Sequence, residues 1–230
     1  TQIGNGAFNC RGFTGTLTLG NGITEIPLGA FSSTRFKGDL IIPDSVVRTN
    51  NNAFSDCGFT GNLTIGRNTV SIGENAFYSS SFAGELTLPD SLVLISNNAF
   101  RDCRYFTGEL VLPESVVSIG HYAFQSFGHS NSILTIPANV QAIGNYAFCT
   151  WTDLLAVKFD GDAPEIGENA FGEARNSFAV FYNEGTTGWT SPKWNGYRTA
   201  PYVEGMEPKT VIDNGKCGDN LNYTLYMDGR

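Results

Sequence analysis

The dipeptide Ala-Phe occurs eight times in this chain, and its phenylalanines, Phe8, Phe31, Phe54, Phe77, Phe100, Phe124, Phe148 and Phe171, follow one another at intervals of 23 or 24 residues. A fixed period of this size marks a solenoid, in which each repeat is one coil stacked on the last. The consequence reaches past the fold. A stacked array offers a long surface and no closed pocket, which favours binding over catalysis.

Alignment on phenylalanine defines the coil. Leu40/Ile42, Leu63/Ile65, Leu86/Leu88, Leu110/Leu112 and Leu134/Ile136 each flank one outward residue, with Leu17/Leu19 and Val157/Phe159 in the same place at the two ends. This alternation predicts a short β-strand. Gly20, Pro43, Gly66, Pro89, Pro113 and Pro137 follow and turn the chain. A second apolar pair comes next, as in Ile23/Ile26, Val116/Ile119 and Val140/Ile143, and then a glycine-rich column, Gly4, Gly73, Gly120, Gly144 and Gly167, that suggests a turn. Gly6, Gly29, Asn52, Asn75, Asn98, Tyr122, Tyr146 and Asn169 stand immediately before the alanines. A short helical turn is expected around each Asn-Ala-Phe, with Ala kept small by the passing backbone of the neighbouring coil and Phe filling the centre. Phe13, Phe36, Phe59, Phe82 and Phe106 add a second aromatic column. Stacking at about 4.8 Å gives each apolar residue neighbours above and below, and the run of coils makes a rod roughly 40 Å long.

The net charge of −8 argues against a nucleic-acid partner, whose phosphates call for clustered Lys and Arg. No stretch approaches the ~18 apolar residues of a membrane-spanning helix. Residues 1–8 are the middle of a repeat, so the chain is read as a fragment of a longer protein whose targeting signals lie elsewhere.

The order strand, Pro, Asp/Glu-Ser-Val, Ile-Gly, Ala-Phe, Cys is carried by Leu86-Thr87-Leu88-Pro89-Asp90-Ser91-Leu92 with Asn97-Asn98-Ala99-Phe100-Arg101-Asp102-Cys103, and by the run from Leu112-Pro113-Glu114-Ser115-Val116 to Ile119-Gly120 with Ala123-Phe124. It resembles the BspA-like leucine-rich repeat over about residues 1–202. The resemblance implies a single right-handed leucine-rich-repeat solenoid of the α/β horseshoe class, built mostly of short strands and turns. It also implies a bacterial protein, on the cell surface or secreted, that acts in adhesion or host contact and has no catalytic residue. Residues from about 183 to 202, with Trp189, Trp194 and Tyr197, look like the family's C-terminal cap. Residues 203–230, with Gly215-Lys216-Cys217-Gly218, look like the incomplete start of a further module.

Each chemically interesting residue has an ordinary reading beside the functional one. Cys10, Cys57, Cys103 and Cys149 sit near the Phe of alternate repeats. At roughly 10 Å between neighbours they are too far apart for disulfides or a zinc cluster, and buried free thiols are expected. His121 and His129 have no partner nucleophile. Asp160-Gly161-Asp162 with Glu165 hints at calcium but reads as a polar turn. Asn62 and Asn222 fit the N-glycosylation pattern, which is usually left empty in a bacterial protein. No cofactor or metal is expected.

Two groups are candidates for binding. Trp189 and Trp194, with Tyr197 and Tyr202, either stack on sugar rings or plug the end of the array. The outward column Thr18, Ile41, Thr64, Thr87, Val111, Thr135, Lys158 and Phe181 is flanked by Asp39, Asn62, Glu85 and Glu109, an acidic-polar stripe suited to a basic partner or simply to water. The expected function is non-enzymatic protein interaction by a monomer, through adhesion to a host protein or matrix component. The alternatives are a carbohydrate-binding module and a passive surface stalk.

Overall fold

The computed structural model describes residues 2–128, 133–172 and 178–203. Among them the regular elements are short strands, parallel except for one C-terminal hairpin and joined by turns, with no helix. Each coil has three sides. One carries the Leu-x-Leu segments, paired as Leu40–Ile41 with Leu63–Thr64 and then as Ile133–Ile136, Ala156–Phe159 and Ala179–Tyr182. A bridge from Thr64 to Thr87 extends the first pair.

The second side is a continuous seven-stranded parallel sheet, ordered by sequence from Glu25–Ile26 to Glu165–Ile166. Its strands are two residues long because the coil turns after one outward and one inward side chain. In the register Arg48↔Ser71↔Leu94↔Ser118↔Ala142, the following residues Ile72, Ile95, Ile119 and Ile143 point into the core.

The third side is the Ala-Phe arch, and here the expected helical turn is replaced by a different geometry. The residue before Ala has positive φ in every repeat, from Gly6 at 61° and Gly29 at 58° to Asn52, Asn75, Asn98, Tyr122, Tyr146 and Asn169 at 47° to 57°. A second left-handed residue follows four places on, at Ser33, Asp56, Ser79, Asp102, Ser126 and Thr150. Amides then alternate in direction. Those of Asn52, Phe54 and Asp56 donate to the next coil's Glu74, Ala76 and Tyr78 carbonyls at 2.7 to 2.8 Å, while those of Ala53 and Ser55 close the turn on Asn50 and Asn52. An α-helix would turn every amide inward and leave the coils unbonded here, so the left-handed kinks satisfy both needs. Gly and Asn dominate that column because they tolerate the left-handed region. The neighbouring glycine column has a different cause: a Cβ on Gly73, Gly120, Gly144 or Gly167 would lie 2.3 to 2.6 Å from backbone atoms of the preceding coil.

The arch phenylalanines form one stack through all eight repeats, ring centroids 5.1 to 5.7 Å apart and planes within 13° of parallel. Phe54, Phe77, Phe100, Phe124 and Phe148 have no exposed surface. The second column, Phe13 to Phe106, meets it edge-on, as at Phe54–Phe59, and continues through Phe127 to Trp151, which the period alone did not reveal. Offset and edge-to-face contacts are the arrangements the ring quadrupole favours.

None of Cys10, Cys57, Cys103 and Cys149 is in a disulfide, but only Cys57 and Cys103 are fully buried; Cys10 is exposed and Cys149 half-buried. The two buried thiols are more than small apolar groups. They share a position three residues after Phe with Thr34, Ser80 and Trp151. From that position Cys57 Sγ, Ser80 Oγ, Cys103 Sγ and Trp151 Nε1 each donate to the phenylalanine carbonyl of the preceding coil, at 2.8 to 3.1 Å. Burial pushes the Cys57 and Cys103 thiols up to about 12, which keeps them protonated as donors.

At the C-terminal end, Lys193–Trp194 and Tyr197–Pro201 form an antiparallel hairpin that pairs in parallel with Ala179–Tyr182. The Tyr197 hydroxyl accepts from the Phe171 amide at 3.3 Å and faces the Gly172 carbonyl at 3.4 Å, where a further coil would supply backbone. Burial raises the Tyr197 phenol above its ordinary range.

Candidate functional site

The Leu-x-Leu side separates into two unlike halves. From Asp39 to Glu114 its outward side chains are open to solvent. Ile41 and Val111 are 62% and 70% exposed, and Thr64 and Thr87 between them are exposed as well. Asp39, Asn62, Glu85 and Glu109 all lie exposed on adjacent repeats along one margin. Asp39 has a structural duty, since its Oδ1 accepts from the Asn62 amide at 2.7 Å. Glu85 and Glu109 make no ion pair among the described residues.

The opposite margin, Asp44, Arg67, Asp90 and Glu114, was not singled out from sequence. Its signal was available: each residue directly follows the Pro or Gly that ends a strand. Asp44 is neutralised by Arg67, Oδ2 to Nε 3.0 Å, and caps the Arg67 amide at 2.9 Å. Asp90 and Glu114 make no ion pair among the described residues. Between the margins lies a groove of about 730 Å³ lined by Asn62, Thr64, Arg67, Glu85, Thr87 and Asp90.

Beyond Ile133 the outward positions become progressively covered: Thr135 is still exposed and Lys158 half-buried, but Phe181 is buried, which corrects its reading as part of an exposed column. Ala156, Ala179 and Phe181 are buried and pack with Ile133, Ala200 and Tyr202 in a small second cluster. Lys158 lies 2.6 Å from Asp160 Oδ1 and 4.7 Å above the Tyr202 ring. On Ala156–Phe159 and Ala179–Tyr182 apolar outward residues bury one another, and the alternation of the open half is lost there.

The terminal tryptophans are packed. Trp194 is 6% exposed. Trp189 is half-buried, stacks on Tyr182 at 5.1 Å and is tilted against Phe159 at 4.9 Å and Trp194 at 4.7 Å, so its ring contacts lie within the terminal hairpin and the coil beneath it. His121 is a link in a side-chain ladder: its amide donates to Asn97 Oδ1 and its Nδ1 accepts from the Asn145 amide, both at 2.8 Å. Asn51 and Asn145 do the same for Glu74 and Glu168. Asp160 Oδ1 takes Lys158 and Asn183 Nδ2, and Asp162 Oδ1 takes the Thr187 amide, so these carboxylates serve the turn. Among the described residues no group of His, Cys, Asp or Glu is arranged to hold a metal ion, and no helix is long and apolar enough to cross a membrane. His129, Cys217 and Asn222 lie outside the described residues.

The repeat geometry agrees with an independent comparison. The family profile described as the BspA type leucine-rich repeat region matches residues 1–125 and 70–187, in six copies. The chain belongs to this family. BspA-type leucine-rich repeats are arrays suited to protein interaction, and this one carries the open, acid-flanked half and the covered half on a single stack. The crystal structure of a leucine-rich repeat protein from Bacteroides ovatus is similar at 21% identity and a TM-score of 0.43, over 78% of this chain and 58% of that one. The chain thus spans less than two thirds of that neighbour's length. A comparison with curated proteins gives no match.

Proposed function

We propose that this array, residues 1–202 with its terminal hairpin, is a non-enzymatic protein-interaction module of a bacterial cell-surface or secreted protein. It adheres to a host protein or matrix component through the open half of the Leu-x-Leu side. One observation carries the reading: over the repeats from Asp39 to Glu114, exposed Ile41, Thr64, Thr87 and Val111 run between two margins whose Glu85, Glu109, Asp90 and Glu114 make no ion pair among the described residues. Carboxylates held on adjacent stacked coils without an ion-pair partner are available to an incoming basic surface, and such contacts weaken with salt. Catalysis finds less support, because among the described residues no nucleophile, base and orienting group come together. The test is a double change, Glu85→Lys with Glu109→Lys, assayed for binding to a panel of purified matrix proteins at two salt concentrations. Loss of binding and of its salt dependence is expected. Unchanged binding of a panel member would remove this face.

A further inference from the structure

We infer a second interaction surface on the arch side, formed by Tyr78, Arg101, Tyr122 and Tyr146, that takes a carboxylate-bearing segment of a protein partner. Four observations converge on it. Tyr122 and Tyr146 occupy left-handed positions, φ 57° and 56°, where the other six repeats use Gly or Asn. A bulky side chain is strained there, so the turn itself does not select tyrosine. Arg101 and Tyr78 likewise stand directly after Phe, in a column that elsewhere holds Asn9, Ser32, Ser55, Gln125, Cys149 and Gly172. The four departures fall on four successive repeats and join in space. Tyr146 stacks on Tyr122 at 5.2 Å, and the Arg101 guanidinium lies 5.0 Å from the Tyr122 ring and 5.9 Å from the Tyr78 ring.

The chemistry of the ladder selects its ligand. Both faces of Tyr122 are covered, by Tyr146 and by Arg101, so it has no platform for a sugar ring. What remains on Tyr122 is ring edge, which carries the positive end of the quadrupole, and phenol hydroxyl. The hydroxyls of Tyr78, Tyr122 and Tyr146 make no hydrogen bond among the described residues. Beside them Arg104 Nη2 sits 2.6 Å from Asp102 Oδ1, while Arg101 Nε is 3.6 Å from Asp102 Oδ2, so two guanidinium groups share one carboxylate. The result is a donor-rich ridge with one surplus positive charge on a chain of net charge −8. Tyr and Arg are the residue types that anchor protein interfaces, at low entropic cost because these are already stacked.

The test uses a labelled oligoglutamate peptide, with oligolysine as control, against the whole protein and two variants at low salt. Arg101→Ser should bind oligoglutamate about tenfold more weakly. Tyr122→Asn with Tyr146→Asn restores the residue used by other repeats. It should weaken binding while leaving the thermal midpoint unchanged or higher. The inference is overturned if oligoglutamate fails to bind, or if Arg101→Ser binds it equally. A lower midpoint in the double-Asn variant overturns it too, because the ladder would then be structural glue.

Discussion

The two halves of the Leu-x-Leu side share a backbone and a core but not a surface. Below Ile41 and below Phe181 alike, inward Leu, Ile and Val pack on the same phenylalanine stack. Above them, Ile41 is 62% exposed and Phe181 8%. The difference shows where a repeat protein has freedom. Inward positions answer to the neighbouring coil and stay uniform, whereas outward positions answer to nothing in the stack and diverge. Acid-flanked threonines leave one half open to solvent, and Ala, Phe and Tyr close the other on itself.

The largest expected effects test whether the closed half is core. Phe181→Ala should cost about 3 to 5 kcal/mol in urea unfolding, the same range as Phe100→Ala in the stack, while Val111→Ala should stay within about 0.5 kcal/mol. Equal small losses at Phe181 and Val111 would dissolve the distinction between the halves.

Next comes the core beneath the open half. Cys57 and Cys103 are raised from 9.0 to about 12, chiefly by burial, so the unfolded thiols ionise first as pH climbs. Their contribution is intact below pH 9 and is lost as pH rises towards 12. Alkaline melting curves should therefore show a fall in stability over that window that is reduced in the variant with both cysteines changed to Ala. A native-state thiol reagent should modify Cys10 while sparing Cys57 and Cys103. Rapid modification of either buried thiol would mean that the open half is loosely packed and not merely open at its surface.

A smaller effect belongs to the terminal hairpin. Tyr197→Phe removes the hydroxyl that meets the Phe171 amide and the Gly172 carbonyl. A loss of about 1 kcal/mol is expected, with no change in binding by the open half. Loss of binding in this variant would couple the two halves.

Period and inward columns were legible in the sequence because the same steric demand recurs in every coil. Phe54 and Phe148 announce their burial by spacing alone. The arch was less legible. Asn-Ala-Phe is compatible with a helical turn locally, and only the need to bond the next coil drives Asn52 and Asp56 into the left-handed region. The donor role of Cys57 was hidden for a related reason: its acceptor, the Phe31 carbonyl, is 26 residues away. The open stripe of Asp39, Asn62, Glu85 and Glu109 could be placed on one margin from spacing. The covering of Phe181 could not, since it depends on Tyr202 and Ala200 reaching the same face through the hairpin.

The central claim is that binding belongs to the open half. The most direct measurement is carboxyl footprinting by carbodiimide, with mass spectrometry, on the free protein and on its complex with a matrix protein retained in the panel. In the free protein Glu85, Asp90, Glu109 and Glu114 should label readily, and in the complex they should be protected while Glu165 and Glu168 label as before. Protection of Glu165 and Glu168 with continued labelling of Glu85 and Glu109 would contradict the account.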